Sequence, residues 1–372
     1  MVGVGLVILT IGAELLVRGA SHIAIAFRIS PLVVGLTIVA FGTSAPELVV
    51  SLQSSLNGQP NVALGNVIGS NILNVLLILG LSSLIVPLLV SQQLVQLDVP
   101  LMVVVSCVAG GMAWHGDGIG RVDGAILVLA LITYTVWVIR KSRAEQQAIQ
   151  DEYAQEFGVP SAQAASWGQV MLNTTLLIVG LVLLVVGARM FVTSSVAIAI
   201  RLGVSEIVIG LTLVAAGTSL PEVATSIVAA LKGERDIAVG NVVGSNLFNL
   251  LCVLGITGVV SPDGIPVPES TLAFDIPVMI VVAIGCLPVF LSGHTIERRE
   301  GAVFLFFYIA YTTDTVLMAT ESDLAPMFRS IILFVAVPVG FLIVTVPYFL
   351  RRGKPEPPPN VESSGDDANA AL

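Results

Sequence analysis

Apolar stretches of about 20 residues, separated by short polar turns, recur along nearly the whole chain. At a rise of about 1.5 Å per residue each is long enough to cross the hydrocarbon of a bilayer as a helix. Eleven such spans are predicted: 2–26, 31–56, 61–86, 97–115, 120–140, 168–198, 206–231, 236–260, 270–292, 300–320 and 328–350. Two stretches break the pattern. Residues 142–167 are polar and charged, and the segment after Lys354 is rich in Pro, Ser, Asp and Asn. The first reads as a linker and the second as a disordered tail, because neither can bury apolar surface. The predicted fold is an all-α polytopic membrane protein.

The spans fall into two similar sets. Gly35-Leu-Thr-Ile-Val-Ala-Phe-Gly-Thr-Ser-Ala-Pro-Glu47 is echoed by Gly210-Leu-Thr-Leu-Val-Ala-Ala-Gly-Thr-Ser-Leu-Pro-Glu222, an offset of 175 residues. The same offset carries Gly65-Asn-Val-Ile-Gly-Ser-Asn-Ile-Leu-Asn74 onto Gly240-Asn-Val-Val-Gly-Ser-Asn-Leu-Phe-Asn249. Fainter echoes at an offset of 177 join Asp98-Val-Pro100 to Asp275-Ile-Pro277, and Tyr134 to Tyr311. The unit is therefore five helices. Five is odd, so the second copy enters the membrane from the opposite side, as in transporters whose substrate site lies at the interface of inverted repeats. The organisation read is 1–141 for the first repeat (motifs within 31–86), 142–167 for a cytoplasmic linker, and 168–320 for the second repeat (motifs within 206–260). An extra helix at 328–350 and a cytoplasmic tail at 351–372 complete the chain.

Composition agrees and adds orientation. Only 11% of residues are charged and 55% are hydrophobic, with a mean hydropathy of +0.97, whereas soluble domains carry about 25% charged residues. Cys107, Cys252 and Cys286 all fall inside spans, without disulfide or metal spacing. The first span has no basic leader or small-residue cleavage site and is expected to remain in the protein. With residue 1 outside, Arg28, Arg140, Lys141, Arg143, Lys232, Arg235, Arg298, Arg299, Arg351, Arg352 and Lys354 face the cytoplasm, while Arg121, Arg201 and Arg329 face outward. That bias predicts an external N-terminus and a cytoplasmic C-terminus in the cell (inner) membrane.

Glu47 and Glu222 sit inside otherwise uncharged apolar spans. Carboxylates there are costly and mark function by default. Pro46 and Pro221 precede them and cannot donate to the carbonyls of Gly42 and Gly217 four residues back. Thr43, Ser44, Thr218 and Ser219 add hydroxyls at the same level, and broken helices at membrane depth occur only where they are buried or line a cavity. Ser70 and Asn74 share a helix face, as do Ser245 and Asn249. Gly65/Gly69 and Gly240/Gly244 are small-residue pairs that let helices approach closely. Asn66, Asn71, Asn241 and Asn246 read equally as ligands or as helix-to-helix hydrogen bonds. Every convergent group is an oxygen, which suits a hard cation. Two carboxylates neutralise a divalent ion, and six to eight oxygens suit calcium, with sodium a competitor. Cation-free, the two carboxylates face desolvation and each other's charge, so protons are expected to compete with calcium.

These paired Gly-Thr-Ser-x-Pro-Glu and Gly-Ser-Asn-x-x-Asn motifs resemble the α-repeats of the calcium/cation antiporter superfamily, specifically its prokaryotic sodium/calcium exchangers. The likeness covers ten of the eleven spans. Proton-coupled relatives usually carry Gly-Asn-x-x-Glu, which tilts the coupling ion toward sodium. The resemblance implies that Glu47 and Glu222, with the carbonyls of Thr43 and Thr218, hold calcium. It implies sodium sites drawing on Ala40, Ser44, Ser70, Ala215, Ser219 and Ser245 as well as the two Glu, with Asn74 and Asn249 completing the central layer. It further implies three sodium ions per calcium and an electrogenic cycle. Some relatives carry Asp at the position of Asn249, so a sodium ion that relies on that charge has no such partner here. No cofactor is expected beyond the transported calcium and sodium ions. Partners are these ions and the lipid bilayer; no nucleic acid is expected, and oligomeric state is not legible. The alternatives are proton/calcium antiport, potassium-dependent exchange, and a passive cation channel, against which the inverted repeat argues. An enzyme is not expected, since no nucleophile–base pair, phosphate loop or cofactor motif is present.

Outside the motifs, Glu14 is expected to pair with Arg18 or with Arg189, its counterpart at the repeat offset. Asp98 and Asp275 stand at helix starts beside proline, and Asp314 in the tenth span has no acidic counterpart in the fifth.

Overall fold

The computed structural model describes residues 1–115, 118–157, 166–291 and 294–351; the predicted disordered tail therefore lies almost wholly outside the described residues. Among these, nine helices are long and apolar enough to cross a membrane: Val2–Phe27, Pro60–Ile85, Leu94–His115, Arg121–Gln147, Trp167–Arg201, Arg235–Val260, Thr271–Leu291, Arg298–Ala319 and Ala325–Ile343. The second span is a bent pair, Pro31–Thr43 and Ala45–Leu56, meeting at 42°. The seventh is not the single helix expected over 206–231. It runs helically over 206–214, leaves the helix over 215–219, and resumes as Leu220–Leu231. Gly217 and Pro221 account for the break: one gives up backbone rigidity, and the other gives up an N–H.

Local chemistry starts each broken span in the same way. Ser30 accepts a hydrogen bond from the Val33 N–H at 3.3 Å, with Pro31 in the first turn. Ser205 does the same for Val208 at 3.4 Å. Both are N-caps that satisfy an otherwise orphaned donor. The fifth helix continues to Phe157, past the boundary read at 141. Residues just beyond that boundary are good helix formers, and Lys141 and Glu145 lie 3.7 Å apart as an i,i+4 pair.

Polarity orders the bundle inside out. The Asn- and Ser-bearing third and eighth spans are central, with 72% and 89% of their apolar windows buried, against 6% for the eleventh. The first and sixth helices pack against each other as an antiparallel pair. A Cβ at Gly5 would lie 2.8 Å from the Phe191 nitrogen, and one at Gly12 would lie 2.9 Å from the Gly180 carbonyl oxygen. Each glycine thus faces the region of the other's repeat counterpart, which is a pseudo-two-fold contact between equivalent helices running in opposite directions. Two short antiparallel pairings repeat this exchange in the loops: Leu88 with Ile296, and Ile119 with Ile265. The eleventh helix packs on the ninth and tenth.

Six π-helical turns complete the symmetry: 35–39 with 210–214, 74–79 with 249–254, and 94–98 with 271–275. Each pair recurs at the repeat offset. Such turns shift the hydrogen-bond ladder by one residue and favour functional sites. Here they open at Asn74 and Asn249, two of the expected ligands.

Candidate ion-binding site

Both helix breaks end at the serine just before the Pro-containing turn. Ser44 has φ −82° and ψ 3°, and Ser219 has φ −88° and ψ 4°. Beyond each break a new helix begins, with Glu47 or Glu222 in its first turn. The carboxylates therefore sit at positive helix ends, while the preceding half-helices present their carbonyl ends to the same region. Both Glu side chains are wholly buried.

The two motifs hold each other across the centre. Ser44 Oγ donates to Glu222 Oε1 at 3.1 Å, and Ser219 Oγ donates to Glu47 Oε1 at 2.9 Å. Thr43 Oγ1 donates to Asn241 Oδ1 at 3.1 Å, and Thr218 Oγ1 donates to Asn66 Oδ1 at 3.2 Å. Asn66 Nδ2 in turn donates to the Glu47 carbonyl and to Ser51 Oγ, and Asn241 Nδ2 donates to Ser226 Oγ. Asn66 and Asn241 are thus helix-to-helix anchors that aim the Glu-bearing segments. Ser51 and Ser226 were not singled out from the sequence, although they repeat at the same offset of 175.

One oxygen of each carboxylate remains without a hydrogen-bond partner in the protein, Glu47 Oε2 and Glu222 Oε2. Asn74 Oδ1, Ser245 Oγ and both polar atoms of Asn249 are likewise buried and unpartnered. Leaving such atoms unsatisfied costs about 1–3 kcal/mol each, more when charged. A hard cation is the partner that the oxygens of this set fit, whereas Asn249 Nδ2 is a donor and cannot ligate one. Ser70 lies 3.1 Å from Ser219 and joins the cluster, and Asn74 Nδ2 donates to Asn246 Oδ1 at 3.0 Å. Among the described residues there is no cluster of three or more His, Cys, Asp or Glu, so neutral oxygens must supply most of any coordination shell.

Pseudo-symmetry fails at the backbone oxygens and at access. Ala40 is buried, and its carbonyl accepts the Ser44 N–H at 3.0 Å. Its counterpart Ala215 is exposed. A cavity of about 460 Å³ reaches the site from that side, past Gly65, Gly69, Gly210, Val214 and Ala215 to Asn66, Ser70 and Thr218. The glycine pairs show why. A Cβ at Gly244 would meet the Leu36 oxygen at 2.6 Å, so the eighth span is closed tightly on the second. At Gly65, Gly69 and Gly210 nothing lies within 4 Å, so the matching interface is open. The close approach read for both pairs holds for Gly240/Gly244 only.

Of the outer expectations, Glu14 pairs with Arg18 at 3.4 Å and more closely with Lys232 at 2.7 Å, not with Arg189. Lys232 ends the seventh span, and no sequence spacing brings it to the first. Tyr134 and Tyr311 donate to Asp98 at 2.9 Å and Asp275 at 3.0 Å. Asp314 is held by Arg329 of the eleventh span at 2.6 Å.

Comparison with known proteins reaches the same place. The family described as sodium/calcium exchanger protein matches residues 1–140 and 172–316. Inner membrane protein YrbG of Escherichia coli (strain K12) is 38% identical over 282 residues, covering 76% of this chain and 85% of the relative. Sodium/calcium exchanger MaX1 of Methanosarcina acetivorans is 32% identical over 334 residues, covering 82% and 95%. The sodium-calcium exchanger NCX_Mj, in a crystal soaked with 10 mM Na+ and zero Ca2+, superposes with a TM-score of 0.69 at 31% identity, over 85% of this chain and 95% of that one. With its doubled motif, helical membrane fold and these matches, the chain belongs to the sodium/calcium exchanger family.

Proposed function

We propose that this protein is an antiporter that exchanges sodium for calcium across the cell membrane by alternating access, with Glu47 and Glu222 as its central ligands. The observation that carries this reading is the crossed pair of hydrogen bonds, Ser44 to Glu222 and Ser219 to Glu47, which leaves one unpartnered oxygen on each buried carboxylate. Two negative charges offset one calcium ion. The carbonyls of Thr43 and Thr218 sit at the helix breaks and complete the calcium shell in this reading. Ser44, Ser70, Ser219, Ser245 and the carbonyls of Ala40 and Ala215 serve sodium, with Asn74 and Asn249 as the neutral central layer. Ala215 supports that role on the open side, and the Ala40 carbonyl, which accepts the Ser44 N–H, keeps a second lone pair for an ion.

The cavity lies in the halves of its spans nearest the turns at 57–60, 202–205 and 320–324. With the external N-terminus expected from Lys and Arg placement, it opens outward. In the opposite state Gly65 and Gly69 close on the seventh span as Gly240 and Gly244 close on the second here. The antiparallel first and sixth helices slide across this bundle as the two faces exchange. The repeat boundaries near 141 and 168 supply the two units that trade conformations.

Calcium-45 uptake into sodium-loaded proteoliposomes diluted into sodium-free buffer tests the reading. Uptake that requires the outward sodium gradient supports it. Uptake driven instead by a pH gradient, or only with added potassium, moves the protein to another coupling. Uptake without any gradient would make it a channel.

A further inference from the structure

We propose that Asp275 is a specificity-determining carboxylate on the path of the ions, and that Arg329 of the eleventh span sets its electrostatic strength. The inference rests on the reading that the 460 Å³ cavity leads ions to the Glu47–Glu222 site.

Asp275 and Asp98 are repeat counterparts with different surroundings. Asp98 is wholly buried, and its two oxygens accept from Tyr134 at 2.9 Å and Gln93 at 3.2 Å. Asp275 is only half-buried, accepts from Tyr311 at 3.0 Å, and lines the cavity beside Thr271 and Thr315. Among the described residues on that cavity wall it is the one charged side chain. Low-dielectric walls focus the field of such a charge, so a passing cation feels it more strongly than at an open surface.

The eleventh span brings a counter-charge behind that wall, over Phe274. Arg329 grips Asp314 with two nitrogens, at 3.1 and 2.6 Å. Its guanidinium carbon lies 3.9 Å from the centroid of the Phe274 ring, and Phe274, adjacent to Asp275, stacks on Tyr311 at 6.3 Å. The first half has Leu97 and Trp137 where the second has Phe274 and Asp314. This arrangement therefore belongs to one side of the membrane only. Asp275, Asp314 and Arg329 together carry one net negative charge. A unit charge acts on calcium with twice the energy it exerts on sodium, so this sector raises calcium over sodium at the cavity and Arg329 limits the bias.

The test measures half-saturating calcium and sodium at the face on which the cavity opens, in low salt and with added choline chloride. Asp275→Asn should raise the calcium value about fivefold and the sodium value about twofold, and Arg329→Gln should lower both by similar factors. The double variant restores the net charge and should return to wild-type values. Arg329→Lys keeps the charge but not the two-nitrogen grip, and should shift both values less than Arg329→Gln does. Added salt should shrink every shift. Equal shifts for both ions, salt-independent shifts, or a double variant worse than either single would overturn the proposal. Failure of the underlying site reading is distinguishable, because Glu47→Gln would then exchange normally.

Discussion

Gly69 and Gly244 occupy equivalent positions but meet opposite surroundings, so an added methyl group would be tolerated at one and would clash at the other. At Gly244 an added Cβ would lie 2.6 Å from the Leu36 oxygen, 2.7 Å from its Cα and 2.8 Å from the Ala40 Cβ. Those distances are about 0.6–0.8 Å short of ordinary contact, and overpacking of that kind costs about 1–3 kcal/mol. At Gly69 nothing lies within 4 Å. Gly69→Ala should therefore leave the cavity-open state unstrained, and its helix slightly favoured by intrinsic propensity. When the face closes, the same methyl meets the overlap now seen at Gly244. The penalty then falls on one state alone and shifts the equilibrium about 5- to 150-fold toward the open cavity. Calcium-45 binding to purified Gly69→Ala should stay within about twofold of wild type, while sodium-driven uptake falls about tenfold or more. A cysteine at Thr312 on the cavity wall should also react faster with an impermeant thiol reagent. Gly69→Ala that exchanged at the wild-type rate would refute the reasoning, since the two faces would then not alternate.

Further outcomes follow from the same geometry. Glu47→Gln and Glu222→Gln should each cut sodium-driven calcium uptake about a hundredfold or more, beyond the 10- to 100-fold typical of lost supporting contacts. Size-exclusion profiles should remain unchanged. Acidification should raise the calcium concentration for half-maximal uptake without lowering the maximal rate, because a proton on either carboxylate removes a ligand and a charge that calcium then competes to restore; a flat pH profile contradicts it. Asp98→Leu leaves the Tyr134 hydroxyl and the Gln93 amide without their acceptor, at a cost of about 1–3 kcal/mol. Its thermal midpoint should fall by about 2–10 °C, and an unchanged midpoint would show that this bond is dispensable.

Much of this protein is written in local pattern. A bilayer demands long apolar helices, so the spans are visible as runs of apolar residues. The duplicated motifs point to Glu47 and Glu222 because a carboxylate in such a run has few uses other than function. Pro46 and Pro221 mark the helix breaks through the N–H they lack. Even the Asn66–Ser51 and Asn241–Ser226 anchors carry a readable signal, since both serines recur at the repeat offset.

What the sequence alone determined, then, is everything set by a residue's own chemistry or by its place in the repeat: the helical membrane fold, the doubled motifs, and the two carboxylates within apolar spans. Tertiary structure alone decided which of two equivalent interfaces is closed. The Gly-x-x-x-Gly segments differ only at Ile68 and Val243, yet 240/244 is packed and 65/69 is open, because two halves with the same local preferences can still adopt different arrangements in one chain. It also decided the partners of long side chains. Lys232 reaches Glu14, and Arg329 reaches Asp314, across helices distant in sequence. The six paired π-turns were equally hidden, since a one-residue shift in a hydrogen-bond ladder changes no residue type. Ion pairs, bulges and open faces depend on how helices are juxtaposed, and apolar spans that all satisfy the bilayer equally leave that juxtaposition to packing.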